Sequence, residues 1–455
     1  MTRPRPPHPS VRQPDPASAA AAALSFLFPG LGQGYNGRWM LAWLLAVPVI
    51  LLLALGAFVI VSGGSGLLSR LLDTRVLVAL IVLDIALFGW RLIAILQAHG
   101  DRDRFTLRSW PAWITAVLVL ATVAMHALPG YYAVKAIDTL GSVALEGGGG
   151  LLDDRTGTDV DISVPSFQPE LARGERVTIL LVGVDFAPGR AHHLTDTMLV
   201  ATLDPATGEG AMISIPRDLY GVPLGDGRVY NAKLNSLMAT ATADRATYPL
   251  GGPATLKAAI GELLGTRIHY FAAIDIEGLR DVIDTLGGVT VTVERTISDP
   301  RYQDTLTGQR GLFIEAGVQH LDGFAALGYV RSRMSAGEND FTRAERQQQL
   351  LAAIAEQLTA GNLLVTLPGL LDAVKGNVAT DIPSGRISAL AGEVQAADLG
   401  GLERYVLTPD EGYVVVDSTS AAGYVLYPDL DAIRALAERI FGDRVIDPTE
   451  SQPPA

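Results

Sequence analysis

The chain contains no cysteine. Disulfides, thiolate metal sites and a cysteine nucleophile are therefore excluded, and that absence chooses no compartment. Charge is also scarce, at 18% of residues, and its balance is acidic: 35 Lys and Arg stand against 48 Asp and Glu, a formal net charge of −13. A sequence-independent grip on nucleic acid needs a basic surface, so no nucleic-acid partner is expected. The sequence shows no helix-turn-helix signal, no internal repeat and no Ser-His-Asp array.

Apolar residues are plentiful. They make up 49% of the 455 residues, and mean hydropathy is positive. The excess lies before residue 135, in runs at 39–61, 76–96 and 110–134. Each is long enough to cross a bilayer core, which takes about 20 residues. Trp39, Trp90, Trp110 and Trp113 mark several ends, as interfacial anchors do. The N-terminal tail carries Arg3, Arg5 and Arg12, and the loop after the second run carries Arg102, Arg104 and Arg108. Both are expected on the cytoplasmic side, which leaves everything after the third span extracytoplasmic. A fourth apolar run, 19–28, is too short to span and is expected to be interfacial or re-entrant. The run Pro29 to Tyr35 (PGLGQGY) resembles a motif of small bacterial membrane proteins, and no function is carried from it. Asp84 falls within the second span and is expected to face other helices or a polar partner. The glycines at 147–150 and the Pro-containing polar run after them read as a flexible spacer. The expected organisation is a cytoplasmic tail and interfacial segment at 1–38 and three transmembrane helices at 39–135. A linker at 136–176, a catalytic domain at 177–443 and a disordered tail at 444–455 follow.

Beyond the linker, strands are expected at 178–184, 198–203, 211–215, 270–274, 289–293, near Tyr405, and at 413–416. Helices are expected at 252–264, 277–286, 322–330, 341–358, 384–396 and 429–440. The alternation argues for the α/β class, as an α/β/α sandwich around a central mixed sheet.

At about 100° per residue, Asp340, Arg343 and Gln347 fall within about 60° of one another on one helix face. Leu350, Leu351, Ile354 and Leu358 continue that face, so the inward side begins charged and ends apolar. An inward Arg needs a partner or a bound anion. An Asp340–Arg343 salt bridge answers that need, and so does a pocket at the helix's first turn, where N–H groups favour anions. Arg331, Arg333, Arg343 and Arg346 lie within sixteen residues. Arginine forks suit phosphate oxygens, although such a cluster is more often a solvated basic face. Asp185 ends the first strand and Asp196 precedes the second. If those strands are neighbours, the two carboxylates meet at one sheet end, where hard oxygen ligands suit Mg²⁺; turn chemistry is the plainer reading. Arg217 and Asp218 follow the third strand, and Lys233 and Asn235 lie in a polar loop.

Eight segments then occur in order. They are Val182-Gly183-Val184-Asp185, Thr195-Asp196-Thr197-Met198, Ser214-Ile215-Pro216-Arg217-Asp218, Ala232-Lys233-Leu234-Asn235, Leu286-Gly287-Gly288-Val289, His320-Leu321-Asp322-Gly323, Tyr329-Val330-Arg331-Ser332-Arg333 and Asp340 to Gln347. Together they resemble the LytR-CpsA-Psr domain, over residues 176–358, with a tail resembling the C-terminal continuation of many members. The resemblance implies an α/β/α fold with a polyprenyl tail in an apolar pocket. It implies transfer of a glycan from a polyprenyl-pyrophosphate carrier to a cell-wall acceptor, typically peptidoglycan. By matched position, it implies that Asp185 and Asp196 hold Mg²⁺. Arg217, Lys233, Arg331, Arg333, Arg343 and Gln347 would line the head group, with Arg346 beside them. Asp340 would orient Arg343 or act as a base, and Asp218 would supply a further carboxylate. Members often carry an Arg just before the second strand. Here the stretch reads Arg190-Ala191-His192-His193-Leu194, so either Arg190 is displaced or His193 takes that place, and a histidine there would make the local charge pH-dependent. Three other readings compete: hydrolysis of the pyrophosphate by water, carriage of a lipid-glycan without reaction, and a regulatory role.

Overall fold

A computed structural model describes residues 15–63, 73–103, 109–143, 175–184, 194–304, 308–332, 334, 339–359, 363–375, 377–397 and 401–442. It divides into two compact units, 1–137 and 138–455.

The first unit is helical: α1 (Pro16–Leu27), α2 (Leu31–Tyr35), α3 (Trp39–Gly63), α4 (Thr74–Gly100) and α5 (Trp110–Val143). Three of these, α3, α4 and α5, are long and apolar enough to cross a membrane. Their outward side chains are large and apolar, Leu51, Phe58, Val82 and Leu120 among them. That is the inverse of a water-facing surface and suits lipid. Pro48 and Pro129 sit inside α3 and α5. The fifth helix continues to Val143, so the first eight residues of the expected linker are helical. The apolar run stops near 134, but the backbone has no reason to unwind there. The glycines at 147–150 lie outside the described residues.

At twelve residues, α1 is too short to span. It ends at Pro29-Gly30, and α2 folds back beneath it. Gln33 of α2 is fully buried. Its amide donates to Ala94 O and to Gln97 Oε1, both at 2.8 Å on α4, and it accepts from Ser25 Oγ of α1 at 3.1 Å. Asn36 donates to Ala98 O at 2.8 Å. A buried amide with every group satisfied pins the three helices together. The glycines make the approach possible: a Cβ on Gly32 would lie 2.0 Å from Ala21 O. Gly32→Ala is therefore expected to push α2 off α1 and to cost about 1–3 kcal/mol, read as a lower unfolding temperature of the detergent-solubilised chain. Between α4 and α5, Asp84 Oδ1 meets His126 Nδ1 at 2.7 Å. The intramembrane carboxylate thus has an interhelical partner, a common way to place a polar group among spans.

The second unit carries a six-stranded sheet in the order β11-β6-β1-β2-β3-β12. The strands are β1 (Val177–Val184), β2 (Thr195–Leu203), β3 (Gly210–Ser214), β6 (Tyr270–Asp275), β11 (Val378–Thr380) and β12 (Glu403–Val406). It is mixed: β1 runs parallel to β6 and antiparallel to β2, and β3 runs parallel to β12. Period-two alternation splits the side chains between the faces. Leu180, Val182, Met198, Val200 and Ile213 join one core with Leu256 and Ile260 of α7 (Gly252–Leu264) and Ile433 and Leu436 of α13 (Leu430–Phe441). Leu181, Leu199 and Met212 turn to the opposite face and meet Leu351 and Ala352 of α10 (Asp340–Thr359). Helices on both faces of a mixed sheet make the α/β/α layering. A second core gathers α8 (Ile276–Thr285), α9 (Gly323–Arg331) and α11 (Leu363–Val374) around β7 (Val289–Val293) and the distal half of α10.

Two polar knots lock the sheet's parallel side. Lys257 of α7 is ion-paired with Asp381, whose other oxygen accepts from Phe271 N at 2.6 Å. His269 Nδ1 accepts from Thr178 N at 3.0 Å, while its own N–H donates to Thr178 O. Burial, reinforced by Arg267, lowers the His269 pKa to about 4. The unfolded imidazole, near 6.5, takes its proton first, so folding loses stability as pH falls from about 6.5 to about 4 and is unaffected above. This site is expected to contribute up to about 3 kcal/mol of acid sensitivity. His269→Asn, which keeps an acceptor without the titration, should flatten that limb in thermal unfolding between pH 7 and pH 4.

Candidate functional site

Val184 pairs with Thr195 across the β1–β2 register, so the chain leaves β1 and enters β2 at one end of the sheet. Residue 196 stands there. The loop after β3 arrives beside it and is held from below. Ile215 N bonds to Met198 O at 2.9 Å, and Asn235 N bonds to Arg217 O at 3.1 Å. Thr195 Oγ1 in turn donates to Asn235 O. The support for Asn235 is a single 3-10 turn, Leu234–Ser236, that follows β5 (Val229–Lys233).

The third wall is the start of α10. Asn339 Oδ1 accepts from Phe341 N and Thr342 N at 2.9 and 2.8 Å, and Thr342 Oγ1 accepts from Asn339 N. This reciprocal cap takes up two of the first-turn donors. The first turn contributes the side chains of Asp340 and Arg343 to the pocket. Further along, Gln348 donates to Ser214 Oγ and Tyr405 O, both at 2.8 Å, fastening the helix over β3 and β12.

The pocket so formed encloses about 420 Å³, its mouth included. Its polar lining is Asp196, Ser214, Arg217, Asp218, Arg343 and Gln347, with Asp340 at the helix start. Arg217 Nη1 donates to Asp196 Oδ1 at 2.5 Å. Arg343 Nη2 pairs with Asp340 Oδ1 at 2.9 Å, and the Arg343 side chain is only 8% exposed. Asp218 is clasped between Lys233 Nζ at 2.7 Å and Arg217 Nε at 3.6 Å. Burial opposes the charge of Arg217, yet Asp196, Asp218 and Asp340 outweigh it and raise the guanidinium above its ordinary value. The Arg217 Nε is buried and forms no hydrogen bond among the described residues. A buried donor left over in a polar cleft is what an anionic oxygen would satisfy.

The six expected residues Asp196, Arg217, Asp218, Asp340, Arg343 and Gln347 thus share one pocket, and Lys233 reaches it through Asp218. Two others do not line it. Arg331 bonds the Tyr302 hydroxyl. Arg346 is buried, donates to Ser332 O at 3.0 Å and lies over the Tyr329 ring. For Arg346 the structure therefore gives a packing site in place of the expected head-group position. Asp185, Arg190, His193 and Arg333 lie outside the described residues. Among the described residues no group of three His, Asp or Glu is placed to hold a metal ion. Sequence reasoning missed Val406 and Leu426, which close the pocket from the C-terminal region. Neither carries a polar group that would have drawn attention.

The family model described as LytR_cpsA_psr family matches residues 152–422, more than half of the chain. Regulatory protein MsrR of Staphylococcus aureus (strain COL) is 30% identical over 229 residues, which cover 50% of this chain and 63% of that protein. Polyisoprenyl-teichoic acid--peptidoglycan teichoic acid transferase TagU of Bacillus mycoides (strain KBAB4) is 29% identical over 213 residues, 47% of this chain and 62% of its own length. The chain thus spans less than two thirds of either relative. The crystal structure of B. subtilis TagV superposes with a TM-score of 0.47 at 23% identity, covering 59% of this chain and 98% of that one. The chain belongs to the LytR-CpsA-Psr family.

Proposed function

We propose that this protein is a membrane-anchored transferase that moves a glycan from a polyprenyl-pyrophosphate carrier to a cell-wall acceptor such as peptidoglycan. The observation that carries the reading is the buried Arg217 Nε, without a hydrogen bond among the described residues, in a pocket it shares with Arg343. Two guanidiniums in an acidic protein are suited to a diphosphate. The name of TagU, a teichoic acid transferase with a polyisoprenyl-linked donor, supports the same reading.

The acceptor hydroxyl attacks the glycan-bearing phosphorus. The bond from that phosphorus to the bridging oxygen breaks, and polyprenyl phosphate leaves. Arg217 and Arg343 neutralise charge that grows on the phosphoryl oxygens. Asp218 is held by Lys233 and lies in the ion pair with Arg217, so it serves to position both cations. Asp340, at 34% exposure against 9% for Asp218, is the more accessible acceptor for the hydroxyl proton. Asp196 and Asp185 would hold Mg²⁺. Asp196 fits, being 39% exposed at the end of the sheet. A bound Mg²⁺ would supply charge neutralisation on the pyrophosphate, with water and substrate oxygens completing its shell. The apolar continuation of α10, Leu350 and Ile354, leads from the head group into the second core, where a hydrocarbon tail would lie. The basic N-terminal tail and second loop support an extracytoplasmic domain.

The test is incubation of the purified chain with a polyprenyl-pyrophosphate-linked glycan and peptidoglycan, followed by mass analysis. Glycan joined covalently to peptidoglycan is the expected product. Free glycan phosphate alone would establish hydrolysis in its place. Retention of wild-type attachment by both Asp196→Ala and Arg343→Ala would sink the assignment of these side chains to the reaction.

A further inference from the structure

Two hairpins stand side by side at the edge of the pocket. The first is β4 (Tyr220–Pro223) with β5, and the second is β13 (Val414–Asp417) with β14 (Val425–Pro428). A parallel bridge from Leu219 to Leu426 joins them, and Leu426 N donates to Asp218 O at 3.0 Å. Val222, Tyr230, Val414 and Leu426 face inward and enter the core beneath α7 and α13, and Leu426 also lines the pocket. Strand alternation turns the neighbouring positions outward. Val415 stands opposite Tyr427, and the two are 61% and 38% exposed. The Tyr220 and Tyr427 rings meet edge-on, with centroids 5.8 Å apart. Gly221, at φ +74°, leaves a hollow between Tyr427 and the exposed Val229, since a Cβ there would lie 3.9 Å from each. Val415, Tyr427, Tyr220 and Val229 thus form an outer strip to which the transfer reading gives no task. Crossing four strands at about 4.8 Å spacing, it is about 14 Å long, with room for more than one sugar ring.

The strip reaches the pocket at Lys233. Lys233 is the cross-strand partner of Tyr220, and cross-strand partners share a face. Its Nζ donates to Asp218 Oδ1 at 2.7 Å, and Asp218 is part of the pocket lining. Charge then selects the occupant. Lys233 is ion-paired with Asp218 and Arg228 with Asp226, at 2.7 and 2.6 Å. A phosphate-rich polymer or an anionic lipid surface would have to compete with carboxylates already in place. A sugar ring needs no counter-charge, because its C–H face packs on aromatic and aliphatic side chains. An exposed apolar strip of this kind marks a docking surface.

We propose that the strip is an acceptor subsite. Sugar rings of a glycan strand lie along it while a hydroxyl of the same strand reaches the pocket past Lys233. The proposal rests on the transfer reading for its reaction and not for its binding.

The experiment titrates peptide-free glycan strands of peptidoglycan, one or four disaccharide units long, into the full chain in detergent with no donor present. Wild type is expected to bind the longer strand about tenfold more tightly. Tyr427→Ala should remove most of that advantage and leave affinity for the single disaccharide and for bare polyprenyl pyrophosphate unchanged. Tyr427→Phe, which keeps the ring, should stay within about threefold of wild type. Val415→Thr, which keeps the strand and the side-chain shape, should weaken only the longer strand, by about threefold. A wild type without length preference overturns the proposal. So does an equal loss for bare polyprenyl pyrophosphate in Tyr427→Ala, which would mark a disturbed pocket. A wild type that is dimeric by light scattering while Tyr427→Ala is monomeric would also overturn it, making the strip an interface between copies. Covalent transfer is then measured with the same strands. Length-dependent binding without a covalent product would sink the transfer reading and leave the strip standing. Transfer whose length dependence survives Tyr427→Ala would do the reverse.

Discussion

Arg217→Ala should lower the turnover number for glycan transfer by about a hundred- to a thousandfold, with the chain still folded and membrane-inserted. The size follows from removing one preorganised donor from a site of developing negative charge. The loss has two parts. The buried Nε goes, a donor that forms no hydrogen bond among the described residues. Asp196 also loses its 2.5 Å partner and stands uncompensated beside the phosphates. Arg217→Ala combined with Asp196→Asn should lose little more than the more damaging single variant, because both changes dismantle one ion pair at the same site. Steady-state rates at saturating donor are the measure. A single variant within threefold of wild type would show that the pocket is not where the pyrophosphate reacts.

Asp381→Ala is expected to have the largest effect on stability, about 3–5 kcal/mol, far from the pocket. Asp381 joins three elements. It compensates Lys257 of α7 and caps Phe271 N of β6, and its own backbone N–H bonds to Phe271 O at 3.2 Å. Truncation leaves a part-buried ammonium and a buried amide without their carboxylate. Lys257→Met combined with Asp381→Leu should be far milder, since a buried ion pair replaced by apolar groups of similar volume is often neutral. Chemical denaturation of the detergent-solubilised chain distinguishes the two. Equal destabilisation by single and double changes would mean that packing volume, and not the uncompensated charge, governs this site.

Much of the layered domain was legible because strand and helix periods were strong. Helix α7 falls at 252–264 as its apolar spacing indicates, and the buried run before Asp185 is the central strand β1. What escaped were short strands whose stability is borrowed from neighbours. The hairpin of β8 (Ile297–Gln303) and β9 (Arg310–Ile314) alternates buried and exposed positions imperfectly, with a register break between Asp299 and Gln303. The two-stranded sheet of β4 (Tyr220–Pro223) with β5 is broken in the same way between Tyr220 and Val222. No local pattern announces such strands. For the pocket, helical spacing was enough to group Asp340, Arg343 and Gln347. It could not separate Arg343 from Arg346, both inward and both buried, because the two point to opposite flanks of the same helix: one to Asp340, the other to Tyr329. The capping by Asn339 was equally hidden. A polar residue before a helix is common, and only geometry shows that it takes the Phe341 and Thr342 N–H groups.

The buried Gln33 amide has a consequence for biogenesis. Its acceptors, Ala94 O and Gln97 Oε1, are synthesised more than sixty residues after it. The two contacts its N–H groups make in the folded protein therefore cannot form until the fourth helix is complete.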